Sequence, residues 1–271
     1  MTIIELNLCD YCPFHCYYCV AKTRKCEKSN QYGEWMQNGS VLPMEQTLAW
    51  LAGTFEPEEC VVLLTGGEPT IIPFGYEWSN RLIAMGYDTY ILSNGVKMIC
   101  DASKWNKQAK YLLTHHIEAT TWQAFEKNVQ SMILAGHKNI ALQTVITPKM
   151  LADNWELDPL KERLGKFGFP FILTGASKHT FQGSTYDFHD ARYWGFEAEP
   201  QKHEEDLRIW SVRPSGTIHI CHQNQDIGDI YHKFNKGNSI VYKCYDTETL
   251  QTFCSTENTI LYLKNCFKEA G

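Results

Sequence analysis

The sequence predicts an α/β fold of parallel strands joined by helices, and three observations predict it. Short apolar runs alternate with amphipathic stretches of helical spacing over residues 2–175. The runs are apolar at successive positions, as in strands covered on both faces. Several of them end in glycine or in polar turn residues. Such alternation implies right-handed crossovers between parallel strands. Six strand candidates suit either an open barrel or a doubly wound sheet, and periodicity does not choose between the two.

The elements follow in order. "TIIELNL" at 2–8 reads as a first strand that leads directly into a run of cysteines. "PMEQTLAWLAGTF" has helical spacing, with Leu48, Leu51 and Phe55 on one side. "CVVLLTGGEP" is a buried strand that ends in glycines, and "EWSNRLIAMG" is a helix closed by Gly86. "YDTYILSNG" is a strand closed by Ser93-Asn94-Gly95, and "KYLLTHH" is another. "TWQAFEKNVQSMILAG" is an amphipathic helix with Thr120 or Thr121 as N-cap. "NIALQTVITP" is a strand, "NWELDPLKERLGKFG" contains a helix, and "FPFILTG" is the sixth strand. Past residue 177 the texture changes to aromatics, His and acids with little periodicity, so a boundary is expected there, between 1–176 and 177–271. "IWSVRPSGTIHICH" reads as a hairpin turned by Pro214-Ser215-Gly216.

With 271 residues, 44% of them apolar, the chain can bury a substantial core. The formal charge of -6 argues against loose binding to nucleic acid or an anionic membrane, while leaving room for a nucleic-acid substrate in a local basic pocket. "MTIIELNL" lacks the basic start and apolar stretch of a secretory signal, and no window is apolar enough to span a bilayer, so a cytoplasmic location is expected. Eleven cysteines, an odd number, then point to metal or catalytic use rather than a disulfide scaffold.

Four of those cysteines fall in "CDYCPFHCYYC", residues 9–19. A zinc ribbon separates its two CxxC pairs by a longer loop than the three residues between Cys12 and Cys16. A ferredoxin packs cysteines this tightly, but in a small loop-rich fold. A third reading uses Cys12, Cys16 and Cys19 alone, on three irons of a [4Fe–4S] cube whose fourth iron stays open. The cysteine spacing leaves these readings standing. "LTGGEPT" at 64–70 then brings exposed backbone and a carboxylate to the C-terminal edge of the sheet, where parallel α/β folds place their chemistry. Taken alone, it also reads as a tight strand–helix turn.

Together, in this order and within a βα rhythm, CxxxCxxC and GGEP closely resemble the radical S-adenosylmethionine (radical SAM) superfamily, over about residues 3–176. The resemblance implies a partial (β/α)6 barrel of parallel strands with a small C-terminal α+β extension. It implies that Cys12, Cys16 and Cys19 hold a [4Fe–4S] cluster, with Cys9 a buried small residue. The enzymes of this family bind SAM to the open iron, cleave it reductively to a 5′-deoxyadenosyl radical, and abstract hydrogen from a substrate. By the same resemblance Gly66, Gly67, Glu68 and Pro69 meet the methionyl end of SAM, and Tyr18 flanks adenine. Ser93 and Asn94 lie near SAM, and one residue from each of the pairs His115-His116 and Gln143-Thr144 faces the barrel interior. His115 and Gln143 are the expected members. The basic run at 21–28 reads as a solvated face.

The hairpin with Gly216 and Cys221 resembles the start of a SPASM or twitch appendage, which holds auxiliary clusters in peptide-modifying members of the superfamily. That module places a further cysteine shortly before the glycine; here His203 stands in that window and no cysteine does. Cys221, Cys244, Cys254 and Cys266 would be the ligands of a second iron–sulfur cluster, or else structural thiols, with Cys221 or Cys254 as a hydrogen-atom donor. Phe181, Tyr186, His189, Tyr193 and Trp194 either cap the barrel mouth or pack between the two regions. The expected function is a radical SAM enzyme of open subclass (oxidoreductase, transferase or isomerase) acting on a peptide or small metabolite, reduced by a flavodoxin- or ferredoxin-type donor. The alternatives are a nucleotide- or tRNA-modifying enzyme of the same superfamily and a non-catalytic iron–sulfur electron-transfer or redox protein.

Overall fold

In a computed structural model of the chain, residues 2–14, 16, 19, 24–25, 40–96, 102–147, 149–150, 153, 155–156, 158–175, 179–181, 184–186, 208–220, 226–231, 260, 263–264 and 267 are described. Nine strands of these residues form one sheet: β1 (Thr2–Asn7), β2 (Cys60–Thr65), β3 (Asp88–Ser93), β4 (Lys110–His115), β5 (Ile140–Ile146), β6 (Phe171–Gly175), β7 (Arg208–Val212), β8 (Thr217–Ile220) and β9 (Asp226–Asp229).

Strands β1 to β6 are parallel and neighbour one another in chain order. A doubly wound sheet reverses its order at a switch point; this one does not, so the crossovers wind one way, as in a barrel. The barrel stays open. β7 occupies the free side of β1, parallel to it, with Thr2 opposite Arg208 and Leu6 opposite Val212. Asn7 secures that junction by donating from its side-chain amide to Ser211 Oγ at 2.7 Å. β8 and β9 continue the sheet antiparallel, and the turn between β7 and β8 is closed by Gly216 N–H donating to the Arg213 carbonyl at 2.8 Å. The segment read from sequence as a hairpin is thus also an extension of the central sheet.

Among the described residues, four helices lie on the outer face: α1 (Met44–Thr54), α2 (Gly75–Ala84), α3 (Trp122–Leu134) and α4 (Asp158–Gly165). Of the two candidate caps for α3, Thr121 acts, its hydroxyl accepting from Ala124 N–H at 3.3 Å. Between β3 and β4 the described residues hold only a single 3-10 turn, Ala102–Lys104.

Because side chains alternate across a strand, the sheet carries two cores. Ile4, Leu6, Val62, Leu64, Ile91 and Leu113 point outward into the helical layer, with Leu51, Trp78, Leu82, Phe125 and Val129. Ile3, Val61, Leu63, Tyr90, Leu112, Ala141 and Ile172 point to the concave side, where Ile260, Leu263 and Phe267 cover them. These last three are helical and spaced three and four apart, so they form one apolar stripe. They fill the concave face along the N-terminal halves of the strands. Toward the C-terminal ends the same face turns polar, through Asn7, Thr65, Thr114 and Gln143. That gradient places the polar end of the concave face at the edge where the cysteines emerge.

Candidate functional site

Beyond Asn7 the chain crosses the end of β2, and the cysteine loop and the GGEP turn are bonded backbone to backbone. Leu8 N–H donates to the Thr65 carbonyl at 2.9 Å, Gly67 N–H to that of Cys9 at 2.7 Å, and Glu68 N–H to that of Tyr11 at 2.7 Å. The glycines are required by this apposition. A Cβ on Gly67 would sit 1.9 Å from the Tyr11 carbonyl oxygen, and one on Gly66, whose φ is +121°, 2.8 Å from that of Cys9. Sequence reasoning assigned these glycines to close approach by SAM; the structure supplies a requirement internal to the fold.

Glu68 is 1% exposed. Its Oε1 accepts from Thr70 N–H at 3.0 Å, Thr70 Oγ1–H at 2.5 Å and Ser93 Oγ–H at 2.6 Å, and its Oε2 from Asn94 N–H at 2.7 Å. The carboxylate thereby ties the end of β2 to the end of β3. Burial pushes its pKa above the ordinary carboxyl range, against the downward pull of Ser93, Thr70 and Asn94. The side chains of Glu68 and Ser93, expected near SAM, are engaged with each other, and Pro69 is buried at the start of a one-turn 3-10 helix, Pro69–Ile71.

The four cysteines differ in environment. Cys9 is buried, its thiol donating to the carbonyls of Tyr11 at 3.4 Å and Glu68 at 3.7 Å, and burial pushes it up to about 12. It is a neutral packing group within the loop. Cys12, Cys16 and Cys19 are partly exposed. Cys12 Sγ accepts from Phe14 N–H at 3.4 Å and from the Asn94 side-chain amide at 3.7 Å, while Cys19 N–H donates to the Cys16 carbonyl at 3.0 Å. Burial, then the charge of Glu68, then Cys16 and Cys19 push the Cys12 thiol up to about 12. Among the described residues no group of three His, Cys, Asp or Glu side chains is gathered to hold a metal ion. A cube spreads three thiolates over three irons, wider than ligands on one ion, and its positive charge would take the place of the thiol protons. The donor set of three thiols on one loop fits such a cluster.

On β4 and β5 the two expected residues part company. Thr114 and Gln143 both face the concave side, where Thr114 Oγ1–H donates to Gln143 Oε1 at 3.0 Å. His115 does not. It points outward beneath α3, stacked on Phe125 with ring centroids 4.9 Å apart and edge-on to Trp122 at 5.4 Å, with Nε2 3.3 Å from the Thr120 carbonyl. The expectation that His115 faces the interior is therefore corrected: Leu112 and Thr114 set the inward phase of the strand. His116, past the strand end, packs edge-on against Phe14 of the cysteine loop at 6.0 Å. Burial pushes both imidazoles down to about 4. Thr70 and Thr114 are site residues that sequence reasoning did not single out, and His116 is the member of its pair that was passed over for His115; once Leu112 is placed inward, strand alternation points to Thr114.

Tyr18, Cys221, Cys244, Cys254, Cys266, His189, Tyr193 and Trp194 lie outside the described residues, as does most of the basic run at 21–28. Phe181 and Tyr186 lie on a small antiparallel ribbon, His179–Phe181 with Ser184–Tyr186.

No protein-family model matches the chain, and no curated protein matches it. Solved structures do. Native anSMEcpe with bound AdoMet and Cp18Cys peptide superposes with a TM-score of 0.58 at 12% identity, over 86% of this chain and 78% of that one. Streptococcus suis SuiB bound to precursor peptide SuiA gives 0.55 at 13% identity, over 85% of this chain and 62% of that one. SuiB bound to S-adenosylmethionine gives 0.55 at 12%, over 85% and 64%. At these identities the likeness is one of fold, an open α/β barrel, which is the architecture the two motifs led one to expect.

Proposed function

We propose that this chain is a radical SAM enzyme acting on a peptide, with Cys12, Cys16 and Cys19 holding a [4Fe–4S] cluster. One observation carries the reading: the three-cysteine loop is bonded, backbone to backbone, to the GGEP turn at the polar end of a concave sheet face. When bound, the cluster supplies the electron that splits SAM into methionine and a 5′-deoxyadenosyl radical, which takes hydrogen from the substrate.

The chain's own residues position and seal. Glu68 and the Gly66-Gly67 apposition fix the cysteine loop relative to β2 and β3, so the cluster end has no freedom to drift. Thr114 holds the Gln143 carbonyl oxygen and so leaves the Gln143 amide N–H groups to donate toward the groove, toward an acceptor such as a ribose hydroxyl or a carboxylate. Ile260, Leu263 and Phe267 close the far side of the groove with apolar surface and exclude water from beneath.

A peptide substrate is supported by the bound peptides of anSMEcpe and SuiB. A flavodoxin- or ferredoxin-type protein is the proposed electron donor. No helix among the described residues is long and apolar enough to cross a membrane. A non-catalytic iron–sulfur carrier would account for the cysteines but leave the polar groove without a role.

Anaerobic reconstitution, reduction with dithionite and incubation with SAM test the reading. Formation of 5′-deoxyadenosine, lost in Cys12→Ala, Cys16→Ala and Cys19→Ala, is expected. An intact cluster that never yields 5′-deoxyadenosine over long incubation favours the carrier. Iron content near four or near eight per chain decides whether Cys221, Cys244, Cys254 and Cys266 hold a second cluster.

A further inference from the structure

Asn94, expected near SAM, has partners for its side-chain amide within the protein. Its Oδ1 accepts from Val96 N–H at 3.0 Å. A backbone N–H only donates, so the atom facing it is the amide oxygen, and the orientation of the amide follows from chemistry. The other end, Nδ2, then faces Cys12 Sγ at 3.7 Å. The backbone of the same residue is held as well, since Asn94 N–H donates to Glu68 Oε2 at 2.7 Å. Asn94 is 5% exposed, while Cys12 at the other end of the bond is partly exposed. Asn94, at the end of β3, is thus held at its backbone N–H and at its side-chain oxygen, and presents one side-chain N–H to one of the three candidate ligand sulfurs.

We infer that Asn94 is a positioning residue that sets the reduction potential of the cluster through the Cys12 thiolate. The inference rests on the proposed cluster. Reduction adds an electron whose charge spreads partly onto the thiolates, and a donor to sulfur stabilises the more negative state more strongly. Hydrogen bonds to the sulfurs and solvent exposure are recognised determinants of cluster potential. Phe14 N–H gives Cys12 a second donor of this kind, but it comes from the loop's own backbone and is independent of side-chain identity. The Asn94 amide is the chain-specific part. It makes the Cys12 corner easier to reduce, which suits a cluster that must accept one electron before SAM can be cleaved.

The test is a potentiometric titration of the reconstituted full-length protein without SAM, followed by electron paramagnetic resonance, alongside iron content and SAM affinity. For Asn94→Ala, which keeps the backbone bond to Glu68, iron content stays near four per cluster and the reduced fraction at a fixed potential falls roughly three- to tenfold. Tenfold corresponds to about 59 mV for a one-electron couple. Asn94→Asp, which replaces the donor by an acceptor, shifts the midpoint in the same direction and further. SAM affinity changes less than twofold. If Asn94→Ala loads iron poorly, Asn94→Ser decides, since its hydroxyl can still accept from the Val96 N–H but is too short to reach the sulfur. An unchanged or more positive midpoint with iron intact overturns the inference and leaves the proposed function standing. Weakened SAM binding with an unchanged midpoint also overturns it, returning Asn94 to a SAM contact. Wild-type protein that assembles no cluster overturns the proposed function, and this inference with it.

Discussion

The two sides of the groove are held by different means. Along β1, β2 and β3 the cysteine loop is fixed by main-chain hydrogen bonds to the GGEP turn, which one buried carboxylate ties in turn to the end of β3. Along β4 and β5 the groove is lined through side chains, Thr114 with Gln143, and His116 against Phe14. The first side tolerates change wherever side chains do not enter the apposition, and fails where a Cβ intrudes or a buried acceptor is lost. The second side should lose ligand affinity without losing the fold.

The strongest test of that contrast is Gly67→Ala. Its Cβ would overlap the Tyr11 carbonyl, so at least about 4 kcal/mol of stability and nearly all bound iron should be lost, by chemical denaturation and iron assay. Normal iron loading would break the comparison. Glu68→Ala leaves Thr70, Ser93 and two backbone N–H groups around a buried hole, and should cost about 3–4 kcal/mol. Leu263→Ala probes the apolar half of the concave face and should cost about 3 kcal/mol while leaving iron content unchanged. Gln143→Ala should weaken SAM about tenfold, close to 1.4 kcal/mol, by equilibrium binding, with the melting temperature unmoved. Thr114→Val should do the same to a smaller degree.

The smallest effect concerns pH and the outward-facing His115. Its folded pKa of about 4 lies below its unfolded value of 6.5, so the unfolded chain takes up the proton first on acidification. Its contribution is therefore complete above about 6.5 and is lost as pH falls toward 4. His115→Phe should narrow the stability difference between pH 7.5 and pH 5.5 by about 1 kcal/mol, measured by denaturant unfolding.

Much of the sheet was legible because strands buried on both faces leave unbroken apolar runs such as Val61–Leu64. The runs themselves did not fix their order, since they suit a barrel and a doubly wound sheet alike; the resemblance carried by CxxxCxxC and GGEP pointed to the barrel. The phase of β4 was hidden for a related reason. Tyr111, Leu112 and Leu113 are all fully buried, so no polar residue marked the outer face, and alternation could say only that His115 and His116 point opposite ways. The partnership of β7 with β1 joins residues 204 apart in the case of Asn7 and Ser211, a separation at which no local pattern forms. Ile260, Leu263 and Phe267 carried helical spacing but nothing that named the surface they cover. In the site, residue types announced the cysteine loop and Glu68, whereas the role of Gly67 became visible only when Tyr11 was seen against it.

The central claim is that three sulfurs of the cysteine loop leave one iron available to a ligand from solution. Electron paramagnetic resonance of the reduced, anaerobically reconstituted protein, recorded with and without SAM, tests it most directly. A cluster signal that changes on adding SAM, and that disappears in Cys16→Ala but survives in Cys9→Ala, is the predicted result. A signal identical with and without saturating SAM, or one that requires Cys9, would contradict the account.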